Sequence, residues 1–147
     1  MIRLNLWSSP RNISTAIMYS FAQRQDTVVV DEPLYAHYLL NQPTEADHPG
    51  RNEIIASQEN DGHRVIDWML DHPFEAELVV FKQMTHHLVN LEEDFKVAAL
   101  FGKAARPDKI LNVLLIRDPR AILTSFSKVV KEVTAEDIGI PQQSHLG

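Results

Sequence analysis

A turn rich in hydroxyl and basic side chains follows the first predicted strand and leads into a predicted helix. It reads Ser-Ser-Pro-Arg-Asn-Ile-Ser-Thr over residues 8–15. A strand that turns into a helix presents several backbone N–H groups and the positive end of the helix dipole, here beside the basic Arg11. Such turns bind anions, most often phosphate groups. The alternative is a plain helix start, in which Ser or Asn side chains satisfy the first N–H groups.

This turn differs from the loop that binds Mg-ATP. When Thr15 is aligned with the final Ser/Thr of the pattern G-x-x-x-x-G-K-[ST], Ser14 falls on the lysine. Ser8 and Ile13 fall on the two glycines. Since the lysine contacts the terminal phosphates of ATP, its absence counts against a nucleotide kinase or hydrolase. We therefore expect the turn to bind a different phosphate-bearing ligand.

A second candidate phosphate site lies much further along the chain. Arg117 follows the apolar run 110–116, and Ser125 comes eight residues after it. A phosphate near the end of this strand can contact both side chains, and charge-assisted hydrogen bonds of this kind contribute about 1.5–3 kcal/mol each. In the alternative interpretation, Arg117 pairs with Asp118 and Ser125 is an ordinary helix residue.

The elements that must position these residues alternate between strands and helices. This alternation predicts a three-layer α/β domain, in which a parallel sheet of about four strands is flanked by helices. The near-continuous apolar character of the fourth strand favours a central place in the sheet. The predicted strands are 2–7, 27–30, 78–81 and 110–116, and the predicted helices are 12–25, 34–40, 51–71 in two pieces, 84–105 with a break, 121–130 and 134–137.

Each predicted strand ends at residues that could do chemistry. The turn 8–15 follows the first strand, Glu32 follows the second, Lys82 ends the third, and Arg117 follows the fourth. In parallel sheets, ligands bind at the carboxyl ends of the strands. We therefore expect these four sets of residues to meet at one edge of the sheet.

The composition limits the classes of function. The chain has 147 residues and a net charge of −6, so it fits one domain and lacks the basic surplus that nucleic-acid binding requires. It contains no cysteine, which excludes disulfides, thiolate metal sites and cysteine nucleophiles. No segment has the pattern of a signal peptide or the length of a membrane span. We expect a cytoplasmic protein with no membrane partner.

The two candidate phosphate motifs, in this order, resemble those of the sulfotransferase family. Its members use 3′-phosphoadenosine 5′-phosphosulfate (PAPS) and have a P-loop-type fold. Residues 9–15 look like the family's 5′-phosphosulfate loop, with Arg11 on the basic position, and Arg117 with Ser125 looks like the 3′-phosphate motif. The resemblance covers most of the chain. It implies that PAPS is bound by Arg11, Asn12, Ile13, Ser14, Thr15, Arg117 and Ser125.

The chain departs from the family pattern in two respects. Asn12 and Ile13 replace the usual Ser and Gly, which reduces the backbone freedom of the loop. The family's C-terminal part, which covers the 3′-phosphate with another Gly-rich loop, has no counterpart before Gly147. We therefore expect residues 1–147 to form a single sulfotransferase-like domain without that part. A non-catalytic or degenerate nucleotide-binding domain remains the alternative.

The resemblance also implies which groups carry out sulfuryl transfer. The reaction needs a base for the acceptor's proton and cations for the charge that builds on the leaving phosphate. Some family members have a Glu after the second strand, where this chain has Glu32, and others a His after the third, where this chain has Met84. Glu32 is the preferred base, and His86 is second. Lys82 matches a strand-end lysine that contacts the transferring group.

The reaction implied by the resemblance is sulfuryl transfer from PAPS to a hydroxyl or amine of a small-molecule acceptor. No metal is needed for it. His86 and His87 are adjacent, and adjacent histidines on a helix point apart, so they do not predict a metal site.

Overall fold

The computed structural model describes residues 1–42, 48–91, 95–102 and 107–128. The predicted helix 134–137 lies outside these ranges. The strands are β1 (Ile2–Ser8), β2 (Thr27–Asp31), β3 (Leu78–Met84) and β4 (Lys109–Leu114). The helices are α1 (Ser14–Phe21), α2 (Tyr35–Asn41), α3 (Arg51–Ser57), α4 (Gly62–Asp71), α5 (Phe95–Leu100) and α6 (Pro119–Phe126), with a short 3-10 helix at Thr85–Leu88.

The four strands form one parallel sheet in the order β2-β3-β1-β4. Side chains of β1 alternate between its faces because successive residues of a strand point in opposite directions. Leu4 and Leu6 pack against residues of α1, whereas Trp7 packs against residues of α4 and α5. Helices cover both faces of the sheet, which confirms the predicted three-layer α/β domain with a parallel sheet of four strands.

The predicted central position of the fourth strand is wrong. In the described part of the chain β4 pairs with β1 alone and lies at the edge of the sheet. Val113 and Leu114 are 45% and 37% exposed. An apolar run indicates a tendency to be buried, but it does not identify the neighbours of a strand. The interior positions belong to β1 and β3, which are paired along both of their edges.

A polar bridge explains the asparagine within this apolar strand. Asn112 Oδ1 accepts hydrogen bonds from Trp7 Nε1 at 2.6 Å and from Asn5 Nδ2 at 3.2 Å. The side-chain amides of Asn5 and Asn112 each donate to the carbonyl of Leu100 at 3.0 Å. The bridge therefore joins β4 to β1 and to α5, and it satisfies the buried indole N–H.

Several element boundaries differ from the predicted ones for identifiable reasons. α1 begins at Ser14 rather than at residue 12, because Arg11 and Ile13 have positive φ angles of 63° and 56°. α6 begins at Pro119, since proline suits the first helical position and Asp118 accepts from the N–H of Arg120 at 2.9 Å. The predicted break within 51–71 is confirmed by the separation of α3 from α4. None of the described helices combines the length and hydrophobicity that crossing a bilayer requires.

Candidate functional site

The carboxyl ends of the strands surround a cleft of about 400 Å³, called here the strand-end cleft. Its walls come from the turn after β1, from the ends of β2 and β3, and from the segment that follows β4. All four sets of strand-end residues that the sequence singled out therefore meet in one place. The lining residues are Pro10, Arg11, Asn12, Ile13, Ser14, Thr15, Glu32, Lys82, Met84, Arg117 and Ser125.

The turn before α1 leaves the start of this helix available to a ligand. Ile13 stands at the N-cap position, and no side chain caps the helix. The alternative interpretation, in which a Ser or Asn side chain satisfies the first N–H groups, is therefore not what the structure shows. Uncapped N–H groups and the helix dipole favour an anion at this position.

Two buried polar side chains fix the turn to the sheet. Asn12 Nδ2 donates to the carbonyl of Leu115 at 2.8 Å, and Ser8 Oγ donates to the carbonyl of Gln83 at 3.3 Å. Both Asn12 and Ser8 are almost fully buried. The turn is therefore attached on one side to the end of β3 and on the other side to the segment after β4. Asn12, expected to bind the cofactor, uses its side-chain amide as an anchor.

The two candidate phosphate motifs are in direct contact. Arg117 Nη1 donates to the carbonyl of Arg11 at 2.7 Å, and Arg11 Nε donates to Ser125 Oγ at 2.9 Å. The alternative pairing of Arg117 with Asp118 is not seen, because the Asp118 carboxylate accepts from the N–H of Arg120. Residues that are distant in sequence thus place two guanidinium groups and a hydroxyl together.

A second cleft adjoins the first and shares Arg117 and Ser125 with it. Its volume is about 360 Å³, and we call it the cationic cleft. The other lining residues all belong to α6 or directly follow it. They are Arg120, Ala121, Thr124 and Lys128.

Lys82 forms two ion pairs where β3 passes the end of β2. Its Nζ is hydrogen-bonded to Glu32 Oε1 and lies 2.9 Å from Asp31 Oδ1. The lysine is only 3% exposed, and burial lowers its pKa, but the hydrogen bonds that Lys82 donates to Glu32 and Asp31 outweigh this and raise the pKa overall. Lys82 is therefore a protonated cation within the strand-end cleft.

Glu32 points its carboxylate into the cleft rather than capping the next helix. Leu34 is the N-cap residue of α2, and no side chain caps that helix. Glu32 has a positive φ of 44°, which turns the chain sharply at the end of β2. Asp31, the second partner of Lys82, was not singled out from the sequence. The sequence feature that could have identified Asp31 is its position directly after the run Val28–Val30 and before Glu32.

His86, the second candidate base, lies outside the lining of the strand-end cleft. Its ring packs edge-on against Tyr38 with centroids 4.8 Å apart. Burial, and then the nearby His48, lower the pKa of His86 to about 4. Burial, and then His86, lower the pKa of His87 well below its usual range. Both imidazoles are therefore neutral near pH 7.

Metal-ligand groups are not apparent in the described ranges. No cluster of three or more His, Asp or Glu side chains there is arranged to hold a metal ion.

A parallel sheet whose first strand turns directly into a helix, with basic groups beside that turn, defines a P-loop-type α/β domain. A family model described as "Sulfotransferase domain" matches residues 2–147, and the chain belongs to this family. The match confirms the family that the two phosphate motifs indicated.

Two curated relatives from Arabidopsis thaliana are similar to this chain. Branched-chain-amino-acid aminotransferase-like protein 2 is 35% identical over 127 residues, and branched-chain-amino-acid aminotransferase-like protein 1 is 37% identical over 130 residues. Each match covers 86% of this chain and 20% of the relative, so the chain spans about one fifth of the length of these proteins. No solved structure gives a significant match.

Proposed function

We propose that this domain binds PAPS and transfers its sulfuryl group to a hydroxyl or amine of a small-molecule acceptor. The observation that supports this most is the convergence of both phosphate motifs with a carboxylate and a lysine in one cleft. Membership of the sulfotransferase family gives the type of reaction. The absence of the ATP-loop lysine distinguishes the site from that of a kinase.

The two phosphate groups of the nucleotide have separate partners in this proposal. The turn before α1 binds the 5′-phosphosulfate through its backbone N–H groups, and Arg11 supplies the adjacent positive charge. Arg117 and Ser125 bind the 3′-phosphate from the other side of Arg11. Their contacts with Arg11 set the relative positions of the two subsites before a ligand arrives.

Glu32 is the base in this proposal. The acceptor's proton passes to the Glu32 carboxylate while the acceptor oxygen or nitrogen forms a bond to sulfur. The bond between sulfur and the bridging oxygen breaks, and its electrons remain on the 5′-phosphate. PAPS supplies the activated sulfuryl group when it is bound. Lys82, held beside Glu32 by its hydrogen bond, provides a cation for the negative charge that develops.

Calorimetric titration with 3′-phosphoadenosine 5′-phosphate (PAP) and with Mg-ATP tests the proposal. We expect PAP to bind at one site and Mg-ATP to bind far more weakly. Binding of Mg-ATP alone would overturn the sulfotransferase proposal. A second assay measures the release of PAP from PAPS in the presence of a panel of small alcohols and amines. If the chain binds PAP but releases none from PAPS, it is a non-catalytic nucleotide-binding domain.

A further inference from the structure

The cationic cleft contains more positive charge than the family resemblance accounts for. Arg117 and Ser125 carry the assigned 3′-phosphate role, but Arg120 and Lys128 line the same cleft. Arg120 lies in the first turn of α6, whereas Arg117 precedes the helix and Lys128 follows its C-cap residue, Ser127. Thr124, one turn after Arg120, lines the same cleft.

These additional cations have no acidic partner in the described part of the chain. Among those residues, no carboxylate lines the cationic cleft and no ion pair involves Arg120 or Lys128. Asp118, two residues before Arg120, uses its carboxylate to cap the first turn of α6. Both basic side chains are exposed to solvent, so an anion can reach them without any rearrangement of the core.

The cationic cleft differs in charge from the chain as a whole, whose net charge is −6. Three cations along one cleft, with no carboxylate among its described lining residues, produce a local positive potential against an acidic background. The two faces of α6 also have different roles, because Ile122 is buried whereas Arg120 and Thr124 line the cleft. Arg120 is therefore positioned by the same helix that carries Ser125.

We propose that Arg120 and Lys128 are specificity-determining residues that bind the 3′-phosphate together with Arg117 and Ser125. This inference rests on the proposed function and deepens it, because it assigns selectivity for a 3′-phosphorylated nucleotide to the cationic cleft. A nucleotide with only a 5′-phosphate occupies the turn before α1 and leaves the cationic cleft empty. Arg120 and Lys128 therefore distinguish PAP from adenosine 5′-phosphate (AMP).

Calorimetry with PAP and with AMP at low ionic strength tests the inference on the whole chain. We expect Arg120→Gln and Lys128→Gln each to weaken PAP binding by about threefold to tenfold, while AMP binding changes by less than about twofold. The conservative variant Arg120→Lys should recover part of the lost PAP affinity. Lys109→Gln is the matched control, because Lys109 is exposed at the opposite end of β4 and should leave both affinities unchanged.

Three results would overturn the inference. Equal losses for PAP and AMP would show that the two side chains act only as general positive charge. Unchanged PAP affinity in the double variant Arg120→Gln/Lys128→Gln would remove them from the site while leaving the proposed function intact. Failure of the unaltered chain to bind PAP would overturn the proposed function and this inference together. Thermal unfolding of each variant shows whether it is folded.

Discussion

Three residues of the strand-end cleft have backbone conformations that side chains other than glycine rarely adopt. Arg11, Ile13 and Glu32 have φ angles of 63°, 56° and 44°. The left-handed conformation costs a residue with a side chain roughly 1–2 kcal/mol. Strain of this kind concentrates at functional sites, where the surrounding structure maintains it. The turn before α1 is therefore held in this conformation by its anchors, Ser8 and Asn12, although Ile13 stands where the family usually has Gly.

Replacing Arg117 tests the assignment of the 3′-phosphate at the scale of a single residue. We expect Arg117→Ala to weaken PAP binding at least tenfold, roughly 1.4 kcal/mol, because a charge-assisted contact to the 3′-phosphate is lost. AMP binding should fall less, since it loses only the support that Arg117 gives to the carbonyl of Arg11. Calorimetry measures both affinities, and an equal loss for both nucleotides would remove Arg117 from the 3′-phosphate role.

Replacing Glu32 tests the assignment of the base. We expect Glu32→Gln to lower the rate of PAP release from PAPS by about 100-fold or more, because an amide cannot accept the acceptor's proton. PAP affinity should change little, since Asp31 still pairs with Lys82 in this variant. Glu77→Gln makes the same change at the opposite end of the sheet and should have no effect on turnover. An unchanged rate in Glu32→Gln would remove Glu32 from the role of base.

At the scale of elements, an aromatic layer joins α2 to the 3-10 helix that follows β3. α2 follows Glu32 by a few residues, and the 3-10 helix follows the end of β3. The two elements meet through rings: His87 stacks on Tyr35 and on Tyr38 with centroids 5.3 and 4.9 Å apart. His48 packs edge-on against both tyrosines. The layer therefore contains two imidazoles, those of His86 and His87, whose pKa values are lowered by burial.

This layer makes stability depend on pH in a predictable direction. The pKa of His86 is lowered to about 4 in the folded chain, so the unfolded chain, with a pKa near 6.5, is protonated first. The free energy of unfolding therefore falls as the pH decreases from about 6.5, and His86 alone accounts for about 2 kcal/mol between pH 7.5 and pH 5. His87 acts in the same direction, and its protonation is further opposed by Lys82, His37 and His48.

Urea unfolding of His86→Phe at the two pH values isolates this effect. The variant keeps an aromatic ring against Tyr38 but has no group to protonate, so its loss of stability at pH 5 should be smaller by about 2 kcal/mol. His63→Gln is the control, because His63 is exposed on α4 and should leave the dependence unchanged. If the free energy of unfolding falls equally between the two pH values in the unaltered chain and in His86→Phe, then His86 is not the source of the pH dependence.

At the scale of the whole molecule, the sequence was sufficient to predict the fold and the meeting of the strand ends. Alternating elements predict a parallel sheet, and the carboxyl ends of parallel strands lie at the same edge. The order of the strands was not predictable in this way, because the apolar character of β4 does not specify its partners. Likewise, the packing of His86 against Tyr38 depends on tertiary contacts that no local pattern encodes.

The pairing of Lys82 shows why the site was predicted only in part. Its place near the carboxyl end of β3 was evident from the sequence, whereas its two carboxylate partners depend on the pairing of β2 with β3. That pairing sets Asp31 opposite Lys82 in the sheet. The registers of the strands, rather than the residue types alone, therefore decide which charges meet within the cleft.

A ligand in the strand-end cleft should stabilise the whole domain, because the cleft joins segments that are far apart in sequence. The turn 8–15, Glu32, Lys82 and Ser125 come together only in the folded chain. We expect PAP at 100 times its Kd to add about 2.7 kcal/mol to the free energy of unfolding and to raise the urea midpoint without changing the m-value. Two separate transitions, of which only one responds to PAP, would contradict this, since the cleft would then unfold independently of the sheet.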